Sequence, residues 1–258
     1  LSHSSAASDV YKRQSIEWMN TSFDQRAAVL NDVANSLESQ SWQFIYLLMH
    51  EAGKTIQDAH DEIREAVDFL RYYANRSALF NSQSTQSGPT GEDNILEYCP
   101  KGLVACISPW NFPLAITLGQ IAAALVTGNT VIAKASEETS LIAFKAAGLF
   151  FNHGLPKDAL HLLLGDGRVG QAIITSQALD LVVFTGSLKT AKSIHNNLSN
   201  KSGKIVPLIA ETGGLNSMVV DSSALIERAC DDIMRSAFNS AGQRLSLIHI
   251  SEPTRLLA

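Results

Sequence analysis

The first hundred residues carry their apolar side chains at helical spacing. Over residues 30–37 and again over residues 63–74, apolar positions recur every three or four residues, which places them on one face of a helix. Gly53 follows a dense apolar stretch and is typical of a helix end. Residues 81–93 are rich in Ser, Thr and Gly, a composition typical of a loop. The pattern therefore predicts several helices before residue 100.

Beyond Leu96 the pattern changes to short apolar runs that alternate with helical stretches. We predict strands at residues 103–107, 130–134, 160–164, 181–184, 205–210 and 218–221. We predict helices at residues 113–126, 139–152, from about 169, at 187–198 and at 224–240. Strands and helices in this alternation predict an α/β fold, built of βαβ units around a parallel sheet. Right-handed crossovers bring the carboxyl ends of the strands to one edge, where such sheets bind ligands.

The composition narrows the class of protein. The chain has 258 residues, of which 45% are hydrophobic, and its formal net charge of −5 disfavours a nucleic-acid surface. Its most apolar region, residues 113–135, is interrupted by Gln120, Gly128 and Asn129, so that we expect no membrane span. The cysteines and histidines follow neither a disulfide framework nor metal-ligand spacing. We therefore expect a globular, cytoplasmic protein without a bound metal.

Three of four candidate sites directly follow a predicted strand. The first is the run Ser108-Pro109-Trp110-Asn111-Phe112-Pro113. Its two prolines restrict the backbone, and the Asn111 carboxamide offers N–H donors that suit a developing oxyanion. A turn whose Trp110 packs in the core is the alternative, and the sequence leaves it open.

The next two candidates are a lysine and a glycine turn. Lys134 closes a predicted strand, where its amine could bind a ribose hydroxyl or a phosphate, although a lysine at a strand end more often reaches solvent. The run Phe184-Thr185-Gly186-Ser187 joins a strand to a helix, whose capped N–H groups could face an anion. Residues 165–170 match G-x-G-x-x-G, but no acidic residue ends a strand about twenty positions later. We interpret them as a connection that precedes the phosphate-contacting turn.

The fourth candidate is Glu211, which opens the run Glu211-Thr212-Gly213-Gly214 after an apolar segment. Burial would raise the pKa of this carboxyl and suit it to general-base work. A helix or turn cap is the alternative.

We assign structural rather than catalytic roles to several other polar and sulfur-containing residues. We interpret Cys106 and Cys230 as small buried hydrophobic residues. The charged residues between 62 and 71 are interpreted as a solvated helix face, and His195 as a solvated side chain.

The two ends of the chain are related at the DNA level. Residues 9–14 can be encoded as GAT GTG TAT AAG AGA CAG, whose reverse complement translates as Leu-Ser-Leu-Ile-His-Ile, the run at residues 245–250. This DNA resembles the inverted end of a transposase-based sequencing adapter. We therefore expect residues 1–14 and 245–258 to be adapter-derived, so that natural sequence runs from Ser15 to Arg244 as a fragment. The alternative is that residues 246–250 form a short strand and residues 4–8 a flexible terminus.

Together with the run Ser240-Ala241-Gly242-Gln243-Arg244, these motifs resemble the aldehyde dehydrogenase superfamily in order and spacing. The likeness is closer to the L-glutamate γ-semialdehyde (pyrroline-5-carboxylate) dehydrogenase modules of bifunctional proline-utilisation enzymes. It is carried by residues 51–55, 62–74, 88–92, 106–116, 209–214 and 219–225. The resemblance implies a Rossmann-like NAD-binding domain at residues 101–212 with N-terminal helices at residues 15–100. It also implies the truncated start of a catalytic domain at residues 213–244.

The resemblance further implies roles for individual residues. A cysteine thiolate attacks the aldehyde, the Asn111 amide holds the oxyanion, hydride passes to NAD⁺, and Glu211 activates the water that releases the acid. Lys134 would contact the adenosine ribose, and Gly186 and Ser187 would lie at the pyrophosphate. The implied cofactor-binding residues are Ile107, Ser108, Pro109, Trp110, Lys134, Gly167, Gly170, Phe184, Thr185, Gly186, Ser187, Thr212 and Gly213.

The nucleophile's position departs from the family. The cysteine should follow Arg244, where this chain has Leu245, whose isobutyl side chain cannot form the covalent adduct. Leu215 is a smaller departure, since a polar residue is usual there. We expect the parent enzyme to oxidise glutamate γ-semialdehyde and the 258-residue chain to be inactive. We also expect the helix at residues 224–240 to expose an apolar face.

Alternatives remain open at this stage. The chain could be a cofactor-binding module without activity, or its parent could act on another aldehyde. The family implies a homo-oligomer and leaves open an upstream proline dehydrogenase domain.

We predict that amplification of the source DNA across the codons for Arg244 and Leu245 gives a cysteine codon directly after Arg244, because the adapter-like run begins there. The codons for Asn111 and Glu211 serve as the control and should read as in this sequence. A leucine codon in an intact gene would contradict the adapter interpretation, and the nucleophile would then be lost from the gene.

Overall fold

The computed structural model describes residues 17–80, 84–214, 216–244 and 248–250. Its helices are residues 17–20, α1 (Phe23–Ser39), α2 (Ser41–Glu51), α3 (Ile56–Ser77), α4 (Ala115–Val126), α5 (Ser140–Asn152), α6 (Gly167–Thr175), α7 (Leu188–Ser199) and α8 (Ile226–Phe238). Short 3₁₀ turns are Ala78–Phe80, Glu137–Thr139 and Asn239–Gly242. The strands are β1 (Ser84–Gln86), β2 (Asn94–Leu96), β3 (Leu103–Ile107), β4 (Thr130–Lys134), β5 (Leu160–Leu163), β6 (Leu181–Gly186), β7 (Leu208–Thr212), β8 (Asn216–Ser217) and β9 (Ile248–Ile250).

Five of these strands form a parallel sheet in the order β5-β4-β3-β6-β7. From β3 the chain adds β4 and β5 on one side, and then crosses over to add β6 and β7 on the other. The order reverses between β3 and β6, where Ile107 pairs with Phe184. Loops that leave these two strands diverge and open a crevice, as in other doubly wound sheets. The predicted α/β fold with a parallel sheet is confirmed.

Alternate residues of the central strand face two separate cores. Val104 and Cys106 belong to a large apolar cluster with residues of α1 to α5, whereas Ala105 belongs to a second cluster with residues of α6 and α7. Successive strand residues point to opposite faces, so helices cover the sheet on both sides. This double cover explains why these strands are continuous apolar runs in the sequence.

Glu51, the last residue of α2, caps a helix on the sheet. Its carboxylate accepts hydrogen bonds from the N–H groups of Leu141 (2.7 Å) and Ile142 (2.9 Å) in the first turn of α5. Such N–H groups have no partner within their own helix and carry the positive end of its dipole. Glu51 therefore fixes α5 against the N-terminal helices.

Glu62 on α3 caps the first turn of α4. The prediction that this residue lies on a solvated helix face is wrong. Glu62 is 1% exposed, because its position three and four residues from Ala59 and Ala66 lies on the apolar stripe of α3. One carboxylate oxygen accepts the N–H of Leu114 (2.8 Å) and the other lies 2.8 Å from the Nζ of Lys54. Burial raises the pKa of Glu62, whereas Lys54 and the backbone N–H donors oppose that rise.

The C-terminal part requires two corrections. Residues 218–221 form no strand: β8 covers only Asn216–Ser217 and pairs in parallel with β9. Val219 is 90% exposed, so this apolar run lacks the neighbour that a ladder needs. Cys230 is exposed on α8, not buried, because none of the residues of α8 is buried.

Other expectations for this part have different outcomes. The expected apolar exposure of α8 is confirmed, since Met234 and Phe238 are exposed. The strand β9 agrees with the alternative interpretation of that segment's conformation, while the DNA origin of residues 1–14 and 245–258 stays a prediction. Leu215 and Leu245 lie outside the described residues. In the part of the chain that is described, no helix is both long and apolar enough to cross a bilayer.

We predict that Glu51→Ala lowers the free energy of unfolding by about 1 kcal/mol, the usual cost of losing a capping side chain. Glu51→Gln keeps an acceptor oxygen in place and should cost less. Urea denaturation followed by circular dichroism measures both. Glu92→Ala, which removes an exposed loop carboxylate, is the control, and an Ala variant at position 51 that is as stable as this control would refute the capping role.

Candidate functional site

A cleft of about 820 Å³ opens at the carboxyl ends of β3 and β6. We call it the first cleft. The predicted cofactor-binding residues that line it are Ile107, Ser108, Pro109, Trp110, Lys134, Gly167, Gly170, Phe184, Thr185, Gly186, Ser187 and Gly213. Thr212 is not among its lining residues and instead pairs with Gly186 across the sheet. The sequence motifs thus converge at the point where the strand order reverses.

The loop from Ser108 to α4 is held against the sheet. The Ser108 N–H donates to the carbonyl of Lys134 at 3.2 Å, and the Ser108 hydroxyl accepts from Thr117 at 2.6 Å. Trp110 is 43% exposed and lines the first cleft, so the alternative in which it packs in the core is wrong. The Asn111 carboxamide donates to the carbonyl of Gln243. Its N–H donors therefore lie where the first cleft meets the C-terminal segment.

Lys134 ends β4 with its side chain buried and its amine paired. Its Nζ lies 3.0 Å from Oε2 of Glu137, so the alternative in which Lys134 extends into solvent is wrong. The carboxylate of Glu137 accepts one hydrogen bond from the backbone N–H of Glu137 and another from the Lys134 amine. Both hydrogen bonds lower the pKa of Glu137. An ammonium beside a carboxylate offers a donor and an acceptor to hydroxyl groups of a ligand.

Two helices begin at the first cleft. α6 is capped by Asp166, which accepts the N–H of Arg168 at 2.9 Å, and α7 by Ser187, which accepts the N–H of Thr190 at 3.1 Å. The amino ends of both helices carry partial positive charge and suit an anion. Gly186 ends β6, and an added Cβ there would lie 2.7 Å from the Phe184 ring, so any larger residue would force that ring to move.

The first turn of α6 leaves room beside its backbone. An added Cβ at Gly167 or Gly170 would meet no atom within 4 Å, and the same holds for Gly213 across the cleft. The glycines thus leave open space in which a ligand can approach the main chain.

A second cleft of about 610 Å³ adjoins the first and is more apolar. Asn111, Thr185 and Arg244 line both clefts. The wall of the second cleft includes Phe69 and Glu211. The carboxamide and the carboxylate assigned to catalysis from the sequence therefore face one cavity.

Glu211 does not have the predicted burial. It lies on β7, the last strand of the sheet in the described part of the chain, and is exposed. No described strand covers the outer side of β7, so the environment that would desolvate this carboxylate is absent. It lines the second cleft, and its role as a base stays a proposal.

Two polar residues of the site escaped the sequence analysis. Gln120 is buried on α4 and donates to the Thr185 hydroxyl at 3.0 Å. Glu65 lines the second cleft beside Arg244, and its pKa is raised by burial first and then by the nearby Glu62. A carboxamide within an apolar helix was a signal for Gln120, whereas Glu65 was indistinguishable from its charged neighbours.

The cysteines present do not replace the expected nucleophile. Cys106 is buried in β3, as predicted, and burial raises the pKa of its thiol so that it stays protonated. Cys99 and Cys230 are exposed, and neither lines the first or the second cleft. The described residues contain no cluster of His, Cys, Asp and Glu that could hold a metal ion.

Comparison with known proteins agrees with this geometry. Residues 3–249 match the model of the aldehyde dehydrogenase family. The chain is 46% identical over 238 residues to the bifunctional protein PutA of Salmonella typhimurium, which covers 90% of this chain and 17% of the relative. A solved structure of a proline utilization A (PutA) variant from Bradyrhizobium japonicum has a TM-score of 0.91 and 49% identity, with 96% of this chain and 26% of that chain covered. The structure of 1-pyrroline-5-carboxylate dehydrogenase from Thermus with bound NAD has a TM-score of 0.90 and 28% identity, with 96% and 49% covered. The chain thus spans less than half the length of each relative.

We predict that only two of the three thiols react rapidly with a chromogenic disulfide reagent in the folded chain. Cys99 and Cys230 are exposed, while the buried, neutral thiol of Cys106 should react only after unfolding in denaturant. The variant Cys106→Ser, which should leave the fast phase unchanged, identifies the slow thiol. A third fast thiol in the native chain would contradict the burial of Cys106.

Proposed function

The chain belongs to the aldehyde dehydrogenase family, and we propose that it forms the NAD-binding part of an enzyme that oxidises L-glutamate γ-semialdehyde to L-glutamate. The observation that carries this proposal is the first cleft, where the separate sequence motifs meet at the reversal of strand order. Similarity to PutA and to a 1-pyrroline-5-carboxylate dehydrogenase supports the substrate. Within the family, the other open choice is a different aldehyde.

The residues of the first cleft fit a dinucleotide. Its volume of about 820 Å³ lies within the usual range for a ligand pocket. The amino ends of α6 and α7 suit a pyrophosphate, and Lys134, which lines the cleft, offers a donor to ribose hydroxyls. Glu137, next to the Lys134 amine, adds an acceptor at the edge of this site. Residues 108–110 and Thr185 extend this surface toward the second cleft. We therefore propose NAD as the cofactor of this site.

The second cleft suits the chemistry of the aldehyde. When a cysteine sulfur bonds to the aldehyde carbon, the carbonyl oxygen takes up negative charge, and the Asn111 carboxamide, which lines this cleft, would donate to that oxygen. Bound NAD⁺ would supply the acceptor for the hydride that leaves this carbon. Glu211 then takes a proton from water, whose oxygen bonds to the thioester carbon and releases the acid and the thiolate.

Charged groups at the second cleft support an amino acid as substrate. Glutamate γ-semialdehyde carries an ammonium and a carboxylate besides its aldehyde. At this cleft Glu65 offers a carboxylate to the ammonium, and Arg244 offers a guanidinium to the carboxylate of such a substrate. An unsubstituted aliphatic aldehyde could use neither group.

Leu245 favours a second candidate function. A leucine at the position that follows Arg244 supplies no thiolate, so the 258-residue chain would bind the cofactor without oxidising an aldehyde. Taken literally, the chain is then a cofactor-binding module. We also propose a homo-oligomeric parent enzyme in the cytoplasm, and fusion to an upstream proline dehydrogenase domain stays open.

We predict that the chain binds NAD⁺ and that Lys134→Met raises the Kd about tenfold, which corresponds to about 1.4 kcal/mol. The loss of an ammonium that faces the ribose hydroxyls accounts for this change. Isothermal titration calorimetry measures it, with Lys192→Met, an exposed lysine on α7 outside both clefts, as the matched control. A wild-type chain that does not bind NAD⁺ would overturn the proposed function.

We also predict that the 258-residue chain produces no NADH from glutamate γ-semialdehyde, because no thiol lies at position 245. The absorbance of NADH is the readout. A natural gene with cysteine after Arg244 should give an enzyme that prefers this substrate to simple aliphatic aldehydes in a competition assay. Turnover by the chain with Leu245 would contradict the assigned nucleophile position.

A further inference from the structure

Lys54 is a buried cation at the junction of three chain segments. Its side chain is 3% exposed and its Nζ lies 2.8 Å from Oε2 of Glu62 on α3. The same Nζ lies 3.8 Å from the centre of the Phe112 ring and donates to the Ser240 hydroxyl at 3.5 Å. A buried ammonium is costly unless every side of it has a partner, so these three contacts fix where the amine lies.

Two of the contacts determine how the chain leaves Asn111. Phe112, the next residue, presents its ring face to the ammonium, an arrangement that the ring quadrupole favours. Glu62, held by Lys54, accepts the N–H groups of Leu114 and Ala115 at 2.8 and 3.2 Å. The ion pair thus holds the chain on the C-terminal side of Asn111 over its whole path into α4.

The third contact reaches the segment on the other side of the Asn111 carboxamide. Ser240 and Ala241 adopt φ angles of 55° and 52°, which residues with a side chain rarely adopt and which a surrounding interaction must maintain. Lys54 supplies one such interaction through the Ser240 hydroxyl. Three residues later, the Gln243 carbonyl accepts the hydrogen bond of Asn111.

We propose that Lys54 is a positioning residue that sets the Asn111 carboxamide against the segment leading to residue 245. The Lys54 ammonium contacts Phe112 in one of the two segments that the Asn111 hydrogen bond joins and Ser240 in the other. Removal of this ammonium would therefore change the position of the Asn111 carboxamide as well as the stability of α3 and α4. The role of Asn111 as oxyanion donor belongs to the proposed function, whereas its placement by Lys54 can be measured without cofactor or substrate.

The test uses the full chain with two spectroscopic reporters. Fluorotryptophan labelling gives one fluorine resonance for each of the three tryptophans. Trp110 adjoins Asn111, while buried Trp18 and exposed Trp42 report on the rest of the fold. The side-chain amide signal of Asn111, assigned through Asn111→Asp, reports directly on its hydrogen bond.

The principal variant is Lys54→Met with Glu62→Gln, which removes both charges and keeps the carbonyl oxygen that caps α4. We expect the Trp110 and Asn111 signals to shift by more than their line widths, while those of Trp18 and Trp42 stay in place. Lys145→Met is the matched control, since Lys145 also faces a phenylalanine ring, that of Phe44, and neither of these residues lines the first or the second cleft. Unmoved Asn111 and Trp110 signals in the principal variant would overturn the proposal.

Ser240→Ala decides the question if the double variant does not fold. It removes a hydroxyl from a partly exposed segment and leaves the Lys54–Glu62 pair intact. We expect the Asn111 amide signal to move in this variant as well, and an unmoved signal would overturn the proposal. Failure of the wild-type chain to bind NAD⁺ would reject the proposed function and leave this outcome unaffected.

Discussion

The site depends on a single constraint of the sheet, the reversal of strand order between β3 and β6. Parallel strands with right-handed crossovers leave neighbouring loops side by side everywhere else, and only at this reversal do two loops part. The loop that carries Asn111 and the turn at Gly186 are the two that separate here. The topology therefore opens the first cleft, and Gly167, Gly170 and Gly213 leave room beside its main chain.

The N-terminal helices contribute to the site by fixing helix ends. Glu51 and Glu62 place carboxylates on the first turns of α5 and α4, which replaces solvent at backbone groups that have no other partner. Both contacts act over long sequence separations, so they join the N-terminal half to the sheet in one orientation. The ion pair with Lys54 extends this role to the edge of the second cleft.

Features set by neighbours in the sequence could be predicted, and features set by packing partners could not. The strand end at Lys134 and the cap at Ser187 follow from local spacing and turn chemistry, and the structure places both residues at the first cleft. The predicted end of β6 at Phe184 is two residues short, since the strand continues to Gly186. Glu62 was assigned to a solvated face because its partners lie eight residues before it and more than fifty after it. The sequence predicts burial for Glu211 and Cys230, and both are exposed. A periodic pattern cannot show whether the described part of the chain contains the element that would cover these two residues.

The outer edge of β7 has a further consequence. It presents unpaired backbone groups in the described part of the chain, and its exposed Ile209 adds an apolar side chain there. Open strand edges of this kind template pairing between molecules, and a proline or a charge on the edge opposes it. Pro207 stands just before the strand and Glu211 lies near its end. The described chain thus carries, at the strand edge that it leaves open, two of the residue types that oppose pairing between sheets.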